Sequence, residues 1–344
     1  MKNSGENFSG QKKGRILSYD FMKSVAVAGV IVGHSLALAA GMAPELAVLE
    51  RYGTALMRPV VPIFIFLAGA LYKPRQSMRE TGLRLLRLVT PYLFFAAVFT
   101  LIYVLTGVKF GTVGYILRVL TGEIHPVYYY VFLMAEYTVL LFVLERIFGY
   151  ERMTIPLFAT MAVLSILHGN YSKEIFERIG LRESMTLFCT YRSPFLWGIF
   201  YAAGIVLGQY PNLRAKAREY KIWLRSIFAG LSLFYIVMVY FAIGDLDGLN
   251  SVITTLICFS AILCLLTIRV RSKGWLFLSR RSYTIYLAHV PFYYLMEQIW
   301  KGQEHMPAII IILTNLAVMG GGAAAVCALG KAIFKNHSFY VIGS

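Results

Sequence analysis

Ser24-Val-Ala-Val-Ala-Gly-Val-Ile-Val-Gly-His34-Ser-Leu-Ala-Leu-Ala-Ala-Gly-Met-Ala-Pro44 holds a single ionisable side chain, His34, in an otherwise apolar run. A helix rises about 1.5 Å per residue, so this run is long enough to cross a hydrocarbon core of roughly 30 Å. A helix also keeps its backbone hydrogen bonds to itself, as lipid requires. The segment before the run, Met1 to Arg15, is polar and basic and lacks a small-residue cleavage site after a short apolar core. It reads as a cytoplasmic tail over residues 1–15, not as a removable signal peptide.

Counting from Val25–Leu46, nine further apolar runs follow: Ala55–Tyr72, Leu88–Leu105, Val127–Leu144, Ile155–Leu167, Phe195–Gln209, Ile222–Ile243, Val252–Ile268, Ile285–Trp300 and Ala308–Leu329. The fifth and sixth runs are short and need flanking residues to span. Gly111–Gly122 reads as an amphipathic piece at the interface. The pattern predicts an all-α integral membrane protein, a bundle of about ten transmembrane helices over residues 16–335. A cytoplasmic tail over 336–344 would end it. There is no internal repeat and no low-complexity stretch.

Composition agrees. Of 344 residues 58% are hydrophobic, mean hydropathy is +0.65, and 15% are charged, against roughly 25% in soluble domains. The net charge of +16 first suggests nucleic acid. The basic residues lie in short loops between apolar runs, so a nucleic-acid partner is excluded and a positive-inside bias is read instead. With the N-terminus inside and ten spans, nine Lys and Arg fall outside: Arg51, Arg58, Lys109, Arg118, Lys173, Arg178, Arg182, Arg192 and Lys301. The other 24 of the 33 fall inside, among them Lys2, Lys12, Lys13 and Arg75. Both termini are therefore expected in the cytoplasm. The four cysteines, Cys189, Cys258, Cys264 and Cys327, show no metal-ligand spacing, so neither a disulfide nor a metal is expected.

Polar groups within spans are costly and mark candidate sites. His34 lies 14 residues beyond Asp20, roughly 21 Å along a helix. It can serve chemistry or bond a neighbouring helix as packing. Asp20 and Lys23 form an i, i+3 pair at the cytoplasmic entry, an interfacial ion pair or a polar vestibule beneath His34. Arg84 and Arg87 share a helix face and suit phosphate groups; anchoring topology is the plainer alternative. Ser282, Tyr286 and His289, spaced 4 and 3, line one face of the ninth span. His125, in His125-Pro-Val-Tyr-Tyr-Tyr130, reads as a loop histidine beside belt aromatics. Glu136, inside the fourth span, needs a partner that the sequence does not name.

In order and spacing these residues resemble the membrane acyltransferase type 3 family, which includes bacterial polysaccharide O-acetyltransferases. The likeness begins at Arg15 and Tyr19-Asp20-x-x-Lys23 and reaches His34 at the family's interval. It continues through Pro62-Ile-Phe-Ile-Phe-Leu-Ala-Gly69 and Arg84-x-x-Arg87-Leu-x-x-Pro91-Tyr92. It closes at Ser282-Tyr-x-Ile-Tyr286-Leu-x-His289-x-Pro291. The resemblance implies an O-acyltransferase, with acetyl-CoA or another acyl-CoA as cytoplasmic donor. The acceptor would be a hydroxyl of an envelope glycan or lipid-linked sugar. His34 would be the catalytic histidine, with Asp20 as a second catalytic residue, and Arg84, Arg87, Lys23 and Arg15 would hold the donor. Ser282, Tyr286, His289 and Glu136 would form a substrate or secondary polar site. The setting would be a multi-pass protein of a cell membrane, the bacterial cytoplasmic membrane by expectation.

Three positions depart from the family's pattern. Lys23 replaces a common Arg, Tyr128-Tyr129 replaces a common Trp-Phe pair, and Ala68-Gly69 replaces Ser-Gly. Without a counterpart to the soluble esterase-like domain of some members in these 344 residues, the chain is expected to act alone or with a separate envelope partner protein. The main rival reading is a transporter or flippase of a glycan or small solute. Transporters commonly show repeat symmetry and matching broken helices, and neither is seen. A non-catalytic scaffold or sensor is the third reading. CoA binding would separate the enzyme from both.

Overall fold

The structure, a computed structural model, describes residues 15–42, 46–74, 76–181, 183–241, 252–303 and 306–343. The charges Lys2, Lys12, Lys13, Arg75 and Arg182, and nearly all of the 1–15 tail, lie outside the described residues. Every regular element among the described residues is helical. In chain order they are α1 (Leu17–Met42), α2 (Ala47–Met57), α3 (Val60–Ala70), α4 (Met78–Leu105), α5 (Gly111–Thr121), α6 (Tyr129–Phe148), α7 (Tyr150–Arg178) and α8 (Glu183–Tyr191). Then come α9 (Pro194–Gln209), α10 (Asn212–Glu219), α11 (Lys221–Tyr240), α12 (Val252–Leu266), α13 (Lys273–Trp300), α14 (Ala308–Leu316), α15 (Gly322–Phe334) and α16 (Ser338–Val341). Among the described residues seven stretches are long and apolar enough to cross a membrane: α1, α2 with α3, α4, α6 with its preceding turn, α7, α11, and α14 through α15. This is a multi-pass helical membrane protein.

The first helix begins at Leu17, eight residues before the apolar run, because protein groups satisfy its polar start. Asp20 accepts from Arg15 and, at 2.7 Å, from Ser279 Oγ of α13. Ser24 Oγ donates to the Trp275 carbonyl. Farther along, the buried Asn315 of α14 accepts from Trp300 Nε1 at 2.8 Å and donates to the Ser35 carbonyl of α1. The helix that carries His34 is thus tied at both ends to the last third of the chain.

The second run is split at Pro59, which has no N–H for the helical ladder, so α2 turns into α3. The fifth run, expected to be short, lies within α7, a helix of 29 residues. The sixth is short, 16 residues in α9, and α9 is buried over most of its surface. It packs on α3 almost backbone to backbone. A Cβ on Gly69 would stand 2.1 Å from the Tyr201 carbonyl oxygen, and one on Gly204 would stand 2.0 Å from that of Phe66. Small residues allow such an approach where lipid offers no hydrophobic drive.

The residues 336–344 do not behave as a free tail. The described part folds back as α16 onto α4, and Ile342, 1% exposed, packs against Gly330 and the α13 core. Of Phe339-Tyr-Val-Ile342, Ile342 is buried and Val341 half-buried, while Phe339 and Tyr340 stay exposed at the edge. The interfacial piece forms α5, with Val113, Ile116, Leu117 and Leu120 exposed and a left-handed Gly122 (φ +74°) ending it.

Candidate active site

Two cavities meet inside the bundle. The first, about 360 Å³, has a basic mouth of Lys23, Arg84 and Arg87, and Ser282 and Tyr286 stand on its wall. The second, about 540 Å³, holds His34, with Glu50, Thr54, Tyr129 and Trp197 around it. Phe64, Tyr130 and Tyr286 line both. These three rings form an aromatic neck: Phe64 to Tyr130 is 6.0 Å and Tyr130 to Tyr286 is 5.4 Å between centroids. Tyr286 is fixed by donating its hydroxyl proton to the Val127 carbonyl.

The mouth is built on the first turns of α4, which a Ser77–Glu80 capping box starts cleanly. Arg84 lies over the Tyr72 ring at 5.5 Å, and Tyr72 donates to Glu145 at 2.6 Å. Arg87 is flanked by Phe339 at 5.6 Å and Tyr340 at 5.9 Å, both of α16. Phe339 is itself part of the cavity wall. Sequence reading treated this segment as tail, so these aromatic neighbours went unseen.

Around His34 the rings are close. His289 stacks on it with centroids 5.3 Å apart, and Tyr293 meets it edge-on at 5.4 Å. His289 is fully buried, and its Nδ1 lies 2.6 Å from the Tyr286 carbonyl. A carbonyl only accepts, so Nδ1 carries the proton and Nε2 is left as an acceptor. That Nε2 is buried with no hydrogen-bond partner. A buried unsatisfied nitrogen is costly, and here it stands beside the histidine that faces the cavity. His125 completes the group, 5.9 Å from Tyr293 and 5.2 Å from Phe99. Its Nδ1 accepts from Val127 N–H at 3.3 Å, capping the turn before α6. His125 is expected in a loop from its sequence, and the His125-Pro126 step that starts the turn is the local signal for its capping role.

Of the predicted residues, Lys23, Arg84, Arg87, Ser282 and Tyr286 share the first cavity, and His34 and Tyr286 the second. Asp20 is not beside His34. It sits 14 residues away at the other end of α1, its carboxylate held by Arg15 and Ser279. It is a clamp between α1 and α13, not a group in reach of the histidine. Arg15 is occupied with that clamp and faces a separate cavity beside α10. Glu136 lies on the exposed face of α6 and lines neither cavity.

A family model described as an acyltransferase domain matches residues 16–329 of the chain. No curated protein and no solved structure matches it.

Proposed function

The chain belongs to the membrane acyltransferase type 3 family, and from that premise we propose that it is an O-acyltransferase, moving an acetyl group from acetyl-CoA to a glycan hydroxyl. The donor enters from the cytoplasmic side at Lys23, Arg84 and Arg87. Guanidinium groups grip phosphate oxygens through charge-assisted, often bidentate hydrogen bonds. The thioester arm passes the Phe64–Tyr130–Tyr286 neck and presents its carbonyl near His34. The acceptor, a polyhydroxylated envelope sugar or its lipid-linked form, occupies the chamber with Glu50, Thr54, Tyr129 and Trp197. These supply polar partners and flat aromatic faces, as small-ligand pockets do.

His34 is the general base in this reading. Its free nitrogen takes the acceptor hydroxyl proton while the oxygen attacks the thioester carbonyl. The C–S bond breaks, and the CoA thiolate leaves with the proton returned from the imidazolium. His289 stacks on His34, with centroids 5.3 Å apart, and backs the ring on the side away from the chamber. The observation that carries the proposal is the shared wall: the arginine mouth and the histidine chamber meet at the same three rings.

The test is CoA binding to the purified protein. Arg84→Gln with Arg87→Gln should weaken it roughly a hundred-fold or more, since each charge-assisted contact is worth about 1.5–3 kcal/mol. Unchanged CoA affinity in that double variant would return the arginines to topology anchors and remove the donor site.

A further inference from the structure

A third cavity, about 370 Å³, lies apart from the active-site pair, between the start of α1, the helix α10 and the segment after α12. Four arginines line it: Arg15, Arg214, Arg218 and Arg269. Arg214 and Arg218 are one turn apart on α10 and share a face. Arg15 is neutralised by Asp20, which Ser279 holds from its other side. The remaining three are drawn together with no carboxylate among the lining residues.

Basic loop residues that serve only topology normally keep their heads in water. Here the Nε atoms of both Arg214 and Arg218 are buried and have no hydrogen-bond partner. Arg214 is also aimed, its guanidinium 5.5 Å over the buried Tyr19 ring. Burial lowers the pKa of Arg218, and the like charges of Arg269 and Arg214 lower it further. Leaving donors unpaired while crowding like charges costs free energy that an anion would recover. Three guanidinium forks converging on one cavity match the oxygens of a phosphate.

We propose that Arg214, Arg218 and Arg269, with Arg15 at the rim, form a phosphate-binding site separate from the donor mouth. The phosphate belongs to a soluble phosphate compound or to the headgroup of an anionic lipid. The second source is within reach because Trp223 and Tyr220, both exposed beside α10, suit the membrane interface.

Thermal unfolding of the full chain in nanodiscs separates these outcomes, with Arg84→Gln/Arg87→Gln protein as background so that the donor mouth does not respond. Inorganic pyrophosphate is titrated in phosphatidylcholine discs, and a minor fraction of phosphatidylglycerol is added in a second arm. A rise in Tm with pyrophosphate that vanishes on adding Arg214→Gln/Arg218→Gln assigns a soluble phosphate. A rise with phosphatidylglycerol alone, lost in the same variant, assigns a lipid headgroup. Apparent affinity should fall about ten-fold or more when the two arginines are removed. If that variant does not fold, Arg269→Gln, at an exposed position, should still weaken binding several-fold. No response to either probe, or a response that survives the arginine substitutions, overturns the site.

Discussion

His34 faces the second cavity while His289 stacks behind it with its Nδ1 against the Tyr286 carbonyl. His289 has its proton committed to the Tyr286 carbonyl, so it can only accept at Nε2. In the proposed reaction His34 is the base because it faces the cavity, and His289 is stacked behind it. A placed general base contributes about 10²–10⁴-fold. His34→Gln, which hydrogen-bonds but takes no proton near neutral pH, should lose at least about two orders of magnitude in acetyl transfer with CoA affinity retained. His289→Ala should lower kcat while leaving CoA affinity intact. Near-normal turnover in His34→Gln would make His34 a packing residue and pass the base role to its neighbour. What the sequence disclosed here was local. Residues four and three apart on α13 share a face whatever surrounds them, so Ser282, Tyr286 and His289 were legible together. Asp20 looked like the partner of Lys23 because the two are neighbours in sequence. It is held instead by Arg15, five positions away, and by Ser279, 259 positions away. His125 likewise meets Tyr293 of α13 across a long gap in sequence, so the long-range contacts have no sequence signature.

At the scale of elements, the close pair α3 and α9 holds the floor of both cavities, since Phe64 of α3 lines both and Trp197 of α9 lines the second. Glycine is needed where the backbones meet. At Gly204 a Cβ would fall 2.0 Å from the Phe66 carbonyl oxygen and 2.8 Å from the Ala70 nitrogen, both backbone atoms that a rotamer change cannot clear. Gly204→Ala should therefore force the helices apart and cost about 1–3 kcal/mol or more. Gly230→Ala, in α11 with open space around it, should gain up to about 1 kcal/mol from helix propensity. Unfolding of the two variants in one detergent checks the contrast; equal stabilities would mean that α3 and α9 do not pack this way. The apolar runs disclosed the helices themselves but not these facts. Hydropathy reports what a helix is made of, and α9 and α13 are instead defined by protein neighbours. α13 carries Lys273, Arg280, Arg281 and Glu297, yet much of its length from Ser279 to Met296 is buried.

At the scale of the whole molecule, seven helical stretches among the described residues meet the length and apolarity of a span, and the expectation of ten passes can be set against which ends touch. The start of α1 bonds the first turns of α13 through Asp20 and Ser279. Tyr72, just after α3, bonds Glu145 near the end of α6. Gln209, ending α9, reaches the Glu151 carbonyl at the start of α7. Arg15, Arg214 and Arg269 line one cavity, which gathers the ends of α9 and α12 with the start of α1. Arg87, at the start of α4, lies against Phe339 and Tyr340 of α16. An odd total would set α16 on the face opposite the start of α1, so these contacts support an even count in which α9, α12 and α13 each cross. The weakest pass is α12. Its 15 residues span roughly 22 Å, short of a core of about 30 Å, and a thinned bilayer or flanking residues must make up the difference. Thr267 and Ile268 are available before Arg269 reaches the headgroups. The charge split of 24 against 9 predicts that the start of α1 lies inside. A reporter fused at Asp247, which lies outside the described residues, should therefore read outside, and one fused at Ser272 should read inside. Both reporters on one side would mean that α12 turns back without crossing, and the arginine cavity could then no longer share a face with the donor mouth.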